Sequence, residues 1–495
     1  MTSNHILISG APEGFDATIL EKEAVLGGVI HVARDAGRLQ AMQAALGFFA
    51  PALPVFVFPA WDCLPFDRVS PNADISATRM ASLASFITNM PDNYVVLTTL
   101  SAACQRVPAR ATLKGAVFRA AVQSRVDEKA LRAFLVRMGF VQTPTVMEAG
   151  DYAIRGGILD IFPPGNSGPI RLDFFGDTLD GIRQFDPATQ RTTKSLDYIE
   201  LSPVSEVILD EGSIRRFRQN YRIEFGAAGT DDPLYEAVSA GSKHQGVEHW
   251  LPFFHENMET LFDYLPSASV VMDDQSTGVR LARWDTIADQ YDARKTALDQ
   301  KGRLDTVYKP APPELLYLDD TAWQEALTDR RVVSLSVLPQ PTGLNALDAG
   351  ARIGRNFAPE RQSEALSLFV AVSDYIKQKR STKTVLITSY SSGSRERLSG
   401  LLQDEGHSEL IDIHDITGLR GVGSYLAVSP LEHGFETDDL LVISEQDILG
   451  DRLVRKIKKR KRADNFLTET QSLSLGDLVV HVDHGVGRFM GLEII

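Results

Sequence analysis

Short apolar runs alternate with helical periodicities over the first part of the chain. Ile6–Ile8, Val29–Val32, Val55–Phe58 and Tyr94–Thr99 are continuous enough to predict strands buried on both faces. Asp35–Phe49 predicts an amphipathic helix between two of them, so residues 1–115 read as a parallel-sheet α/β domain. The pattern changes at about residue 116. Leu131, Phe134, Leu135 and Met138 share one helical face, with Asp127 placed to cap the start and Gly139 to end it. After that helix the period becomes two. Asp151–Arg155, a Gly156-Gly157 bend, Ile158–Phe162, a Pro164-Gly165 turn and Ile170–Phe175 predict three successive strands. Alternation puts Ile170, Leu172 and Phe174 on one face and Arg171, Asp173 and Phe175 on the other. An aromatic beside an arginine on a charged face suits a protein contact, because both residue types anchor interfaces; an edge strand with one stray aromatic is the plainer alternative.

Residues 206–325 mix helical and strand patterns around His249–Phe254, Thr260–Pro266 and the strand-like Val270–Met272. Pro310, Pro312, Pro313, Pro339 and Pro341 predict loops, and 326–345 reads as a linker. From 346 to 450 the α/β alternation returns, with strands at Lys383–Thr388, Tyr425–Val428 and Asp439–Ile443 and a helix over Ser392–Glu405. Residues 451–473 form a basic linker, with eight Lys or Arg between Arg452 and Arg462: a solvated helix, an intramolecular latch or a nucleic-acid contact. Residues 474–495 begin a small β unit. About 20 residues cannot bury a core alone, so the sequence is expected to stop inside a domain.

At 495 residues the chain needs several cores. Its 43% hydrophobic and 23% charged content is that of a globular protein, and the net charge of −14 argues against broad nucleic-acid coating. Two cysteines, Cys63 and Cys104, without CxxC spacing fit a reducing compartment, and no apolar run is long enough for a membrane span; a cytoplasmic protein is expected.

Candidate chemistry is sparse. The first strand leads into Ser9–Thr18 with the glycines of a phosphate-binding loop but no lysine; Phe15 and Asp16 stand where it would sit, and Glu13 and Asp16 would repel phosphate. ATP binding is therefore not expected. His481 and His484 fall on opposite strand faces, against a metal site. No catalytic arrangement stands out.

Three blocks in order carry a resemblance: Gly150–Pro163, Arg171–Asp177 and Ile182–Arg191. They resemble the module shared by the nucleotide-excision-repair protein UvrB and the bacterial transcription-repair coupling factors. Leu431–Phe435 with Ile443–Gly450 resembles a domain of the coupling factors that UvrB lacks, and Gly476–Gly491 resembles the start of their CarD-like RNA-polymerase-interacting domain. The stretch Phe58–Asp74, where UvrB carries a tyrosine-rich strand-separating hairpin, is short and has no tyrosine.

The resemblance implies a multidomain α/β fold. A degenerate P-loop-type domain (1–115) holds an inserted α+β UvrA-binding module (116–205) and is followed by a second UvrB-like part (206–325). A small α/β domain of unassigned role (346–450) and the β stub then follow. It implies a scaffold that recruits UvrA to stalled RNA polymerase, without ATPase or damage-probing activity of its own and without a cofactor. For the full-length family protein it implies an ATP- and Mg²⁺-dependent double-stranded-DNA translocase that also binds the RNA polymerase β subunit. The UvrA contacts it implies are Arg155, Arg171 and Phe175. A divergent UvrB-like ATPase and a DNA-binding module using 452–462 are the competing expectations.

Overall fold

The computed structural model describes residues 5–450 except 89, 115, 227–231, 300–307, 340–345, 363–366 and 408, and separately residues 478–481 and 485–488. The basic run and His484 lie outside the described residues, as does the side chain of His481. Two units separate: Met1–Ile448, and Leu449–Ile495, in which Leu478–His481 pairs antiparallel with Gly485–Arg488.

The larger unit is mixed α/β. Its main sheet is parallel and seven-stranded, in the order Ala346–Asp348, His5–Ser9, Val332–Leu335, Ser269–Asp273, Val29–Ala33, Val95–Thr99, Val55–Phe58. Successive residues feed opposite cores. Val29, Ala33, Val95 and Leu97 pack with Leu39, Met42, Leu46 and Phe49 of the Ala36–Phe49 helix, whose N-terminus Asp35 caps by accepting from Arg38 N–H. Ile30, Val32 and Val96 pack on the other side with Met80 and Leu83 of the Ala73–Thr88 helix. Burial on both faces is why these strands read as unbroken apolar runs.

Three strands of this sheet, Ser269–Asp273, Val332–Leu335 and Ala346–Asp348, come from far along the chain. Ser269–Asp273 lies between Val29–Ala33 and Val332–Leu335. The span 326–345, expected as a linker, therefore contains a central strand. Ser334 and Ser336 interrupt its apolar run, and its stability comes from the neighbouring His5–Ser9 and Ser269–Asp273 strands, not from local pattern. Between Val95–Thr99 and Ser269–Asp273 the chain makes an excursion through two further bodies. One is the α+β module. The other is an aromatic core of Phe217, Tyr221, Trp250 and Phe254, which Phe66 and Tyr308 join from outside the excursion.

Beyond the main sheet, a six-stranded sheet runs Arg352–Ile353, Phe435–Glu436, Leu440–Ser444, Thr384–Ser389, Ser424–Val428, Leu410–Asp412. It shares a core with the main sheet: Leu386, Tyr425, Leu431, Phe435 and Val442 join Ile8, Leu20 and Phe49.

Candidate protein-docking site

The α+β module is built on the Glu128–Arg137 helix. Asp127 caps it by accepting from the Lys129 and Ala130 N–H groups, and Gly139 ends it at φ +87°, in the left-handed region. Leu131, Phe134 and Leu135 pack on Leu159, Ile161, Ile170, Leu172 and Ile182 of an antiparallel sheet. Ile170 and Leu172 are buried and Phe174 packs against the same core, while Phe175 is 83% exposed. Register slips after Asp173, where Asp180 is the extra residue on the facing strand, so the alternation of Ile170–Phe175 itself is kept.

Two tight hairpins end side by side. Arg155 pairs with Ile158 across Gly156-Gly157, and Phe175 pairs with Thr178 across Gly176-Asp177. Gly156 and Gly176 both sit at φ +63°, which such two-residue turns demand. The Phe174 N–H donates to Gly157 O at 2.8 Å, so Arg155 and Phe175 lie at the same end of the sheet. Arg125, which no periodicity or motif singles out, bridges to Thr178 there with its side chain 86% exposed, 3.9 Å from Asp177.

The two arginines expected beside Phe175 are engaged within the chain. Arg171 forks onto the buried Asp160, Nε and Nη2 donating to its two oxygens at 2.7 and 2.8 Å, and stacks 4.7 Å from the Phe185 ring. These hydrogen bonds, chiefly, hold its pKa above the ordinary arginine value. About a fifth of the Arg171 side chain stays exposed (20%). Arg155 does not brace the glycine bend: its Nη2 donates to Pro144 O at 2.7 Å and approaches Thr145 Oγ1 at 3.3 Å. The segment it holds delivers Val146 onto Ala153 and Phe185, so an apolar set partly roofs the face that alternation marked as charged.

The loop after the first strand is closed. A side chain at Gly10 would fall 2.6 Å from both Arg352 Nη1 and Asp348 Oδ1, and one at Gly14 would fall 3.0 Å from Leu431. Phe15 packs on Phe435 at 5.5 Å between ring centroids. The nearby arginines are neutralised: Arg34 by Glu13 (3.0 Å) and Asp273 (3.3 Å), Arg38 by Asp16. Burial pushes the Asp16 pKa up to about 6, against the pull of Arg38.

Profiles of known families match three segments: the UvrB interaction domain at 118–206, the MFD D3 domain at 376–448 and the CarD-like/TRCF RID domain at 473–495. The α+β module is thus similar to the UvrB interaction domain. Full-length comparison is more specific. The transcription-repair-coupling factor of Rickettsia bellii is 29% identical over 457 residues, 92% of this chain and 39% of that protein. Its counterpart in Escherichia coli is 30% identical, covering 88% and 37%, and that of Bacillus subtilis 23% identical, covering 89% and 38%. The chain is a homologue of the N-terminal portion of transcription-repair-coupling factors. It spans about two fifths of the length of the curated relatives it matches. Among solved structures, Xpd4 of S. tokodaii aligns at a TM-score of 0.18 and 10% identity, too low to inform the fold.

Proposed function

We propose that this chain is a recruitment scaffold that docks UvrA through its α+β module. The observation that carries the reading is Phe175, a large aromatic left 83% exposed at the tip of a rigid hairpin inside the matched UvrB interaction domain. Arg155 flanks it at the same sheet end. Arg171 joins the contact through the fifth of its side chain that stays exposed (20%), and otherwise positions the strand. Phe175 fills an apolar pocket on UvrA, and the arginines meet carboxylates around it.

The parallel-sheet domain is read as a P-loop-type scaffold that has lost its nucleotide site. In support, the loop lacks lysine, packs against Leu431 and Phe435, and has its arginines paired with acids. We therefore propose no ATPase for the described residues. Contacts to RNA polymerase through the CarD-like segment, and to double-stranded DNA, belong to the whole protein in this reading. Among the described residues no helix is long and apolar enough to cross a membrane, and a cytoplasmic location follows from the repair role.

The test is capture of purified UvrA by the wild-type chain and by Phe175→Ala and Arg155→Ala. Loss of UvrA from folded Phe175→Ala supports the reading; equal capture by all three proteins refutes it. Titration with ATP and Mg²⁺ decides the enzyme alternative, which stoichiometric binding would revive.

A further inference from the structure

The Glu211–Phe225 helix presents a row of arginines that the docking role does not use. Its inner face is aromatic: Phe217 and Tyr221 are buried and stack among Tyr235, Phe253 and Phe254. Its outer face carries Arg215, Arg218 and Arg222, all exposed, at spacings of three and four residues that align them along one side. At 1.5 Å per residue the row spans about 10 Å.

Two features separate these arginines from their neighbours. Arg216, on the adjacent face, is used internally, donating to Phe254 O at 2.9 Å and reaching Glu256 at 3.5 Å. Among the described residues, Arg218 and Arg222 have no carboxylate within ion-pair distance, and Arg215 has only Glu211 at 3.7 Å, itself fully in solvent. The row is also braced. The Arg218 Nε approaches Tyr235 Oη at 3.4 Å, and the Arg222 guanidinium sits 5.5 Å over the Tyr235 ring. A buried tyrosine that holds one guanidinium over its ring and another at its hydroxyl lowers the entropy lost when they bind. The acids on the outer side, Glu211 and Glu224, lie at the two ends of the helix.

We propose that Arg215, Arg218 and Arg222 form a docking face for the sugar–phosphate backbone of duplex nucleic acid. A duplex offers one charge per about 1.7 Å of its axis, so a row this long meets several phosphates. The helix turns its aromatics inward, so the face has no platform for stacking unpaired bases; this favours a duplex over a single strand and contact without sequence preference. In a chain of net charge −14, a local cluster of basic side chains such as this row is needed to hold a polyanion.

The test is fluorescence anisotropy with a short labelled DNA duplex between about 50 and 200 mM salt. The proteins are the full chain and its Arg215→Gln/Arg218→Gln/Arg222→Gln form, both with glutamine at the basic positions of 452–462 so that the other basic run contributes nothing. Three neutralised phosphates give a log–log salt slope of about −2.7. The triple variant should lose most of that slope and bind at least about tenfold more weakly at low salt. The corresponding triple lysine variant should retain binding. Equal affinity and slope for the parent and the glutamine variant overturns the proposal. So does poly-glutamate displacing the duplex more effectively than unlabelled duplex does, which would assign the row to an acidic protein.

Discussion

Replacing Arg171 with alanine should loosen the sheet of the docking module before it touches docking itself. Asp160 is 2% exposed, and both of its oxygens are satisfied by the Arg171 fork. Removing the fork leaves a buried carboxylate facing Ala153 and the new alanine in the ladder. Breaking one side of a buried pair costs about 3–5 kcal/mol, well above the roughly 0–1 kcal/mol of a surface pair. The loss of the Phe185 stack adds to it. A chain with several cores does not unfold in one step, so the assay must be local. Amide hydrogen exchange over Ile158–Ile161 and Ile170–Phe175 should speed up by roughly two to four orders of magnitude. Removing both charges, as Asp160→Asn with Arg171→Met, should restore most of the protection. A change below about 1 kcal/mol in Arg171→Ala would refute the reasoning, because the pair would then be behaving as a solvated one. The double variant also separates two roles. If it binds UvrA like the wild type, Arg171 only positions the strand; if it folds and fails to bind, Arg171 touches the partner.

Other expectations concern the closed loop and the main sheet. Phe435 is fully buried between Phe15 and Phe49, at 5.5 and 5.6 Å between ring centroids. Phe435→Ala should cost about 3–5 kcal/mol and expose the amides of residues 10–16 to exchange, and a cost under about 1 kcal/mol would show that the two sheets do not share a core. His31 is fully buried in the Val29–Ala33 strand, and burial lowers its pKa to about 3. Its folded pKa lies below the unfolded value near 6.5, so its stability contribution is lost as pH falls. Between pH 7 and 5 the loss at this site is about 2 kcal/mol. His31→Leu should flatten the pH dependence of amide-exchange protection in Val29–Ala33 over that range, and an unchanged pH slope would contradict the burial argument.

How far the fold was legible depended on whether its causes were local. Strands such as Val29–Ala33 and Val95–Thr99 are buried on both faces, so their composition announced them. The module helix carried its own cap at Asp127, and Phe175 emerged where alternation put it. Val332–Leu335 did not read as a strand, because its partners at His5–Ser9 and Ser269–Asp273 lie far away in sequence. The site was half legible for a similar reason. Alternation assigns Arg171 to a face but not to a partner. Asp160 lies opposite it through the cross-strand register, which depends on the turn between the strands. The Arg155 contact with Pro144 required knowing that residues 143–147 fold back over the sheet, which no periodicity encodes.

The most direct test of the central claim is the affinity of UvrA for Phe175→Ala, measured by calorimetry beside the wild type. The side chain is 83% exposed and contributes little to the module's core, so exchange protection of the sheet should be unchanged. Loss of an aromatic anchor costs about 2 kcal/mol or more, roughly a 30-fold rise in Kd. A change smaller than about twofold (~0.4 kcal/mol), with the sheet intact, would contradict the account and remove Phe175 from the docking surface.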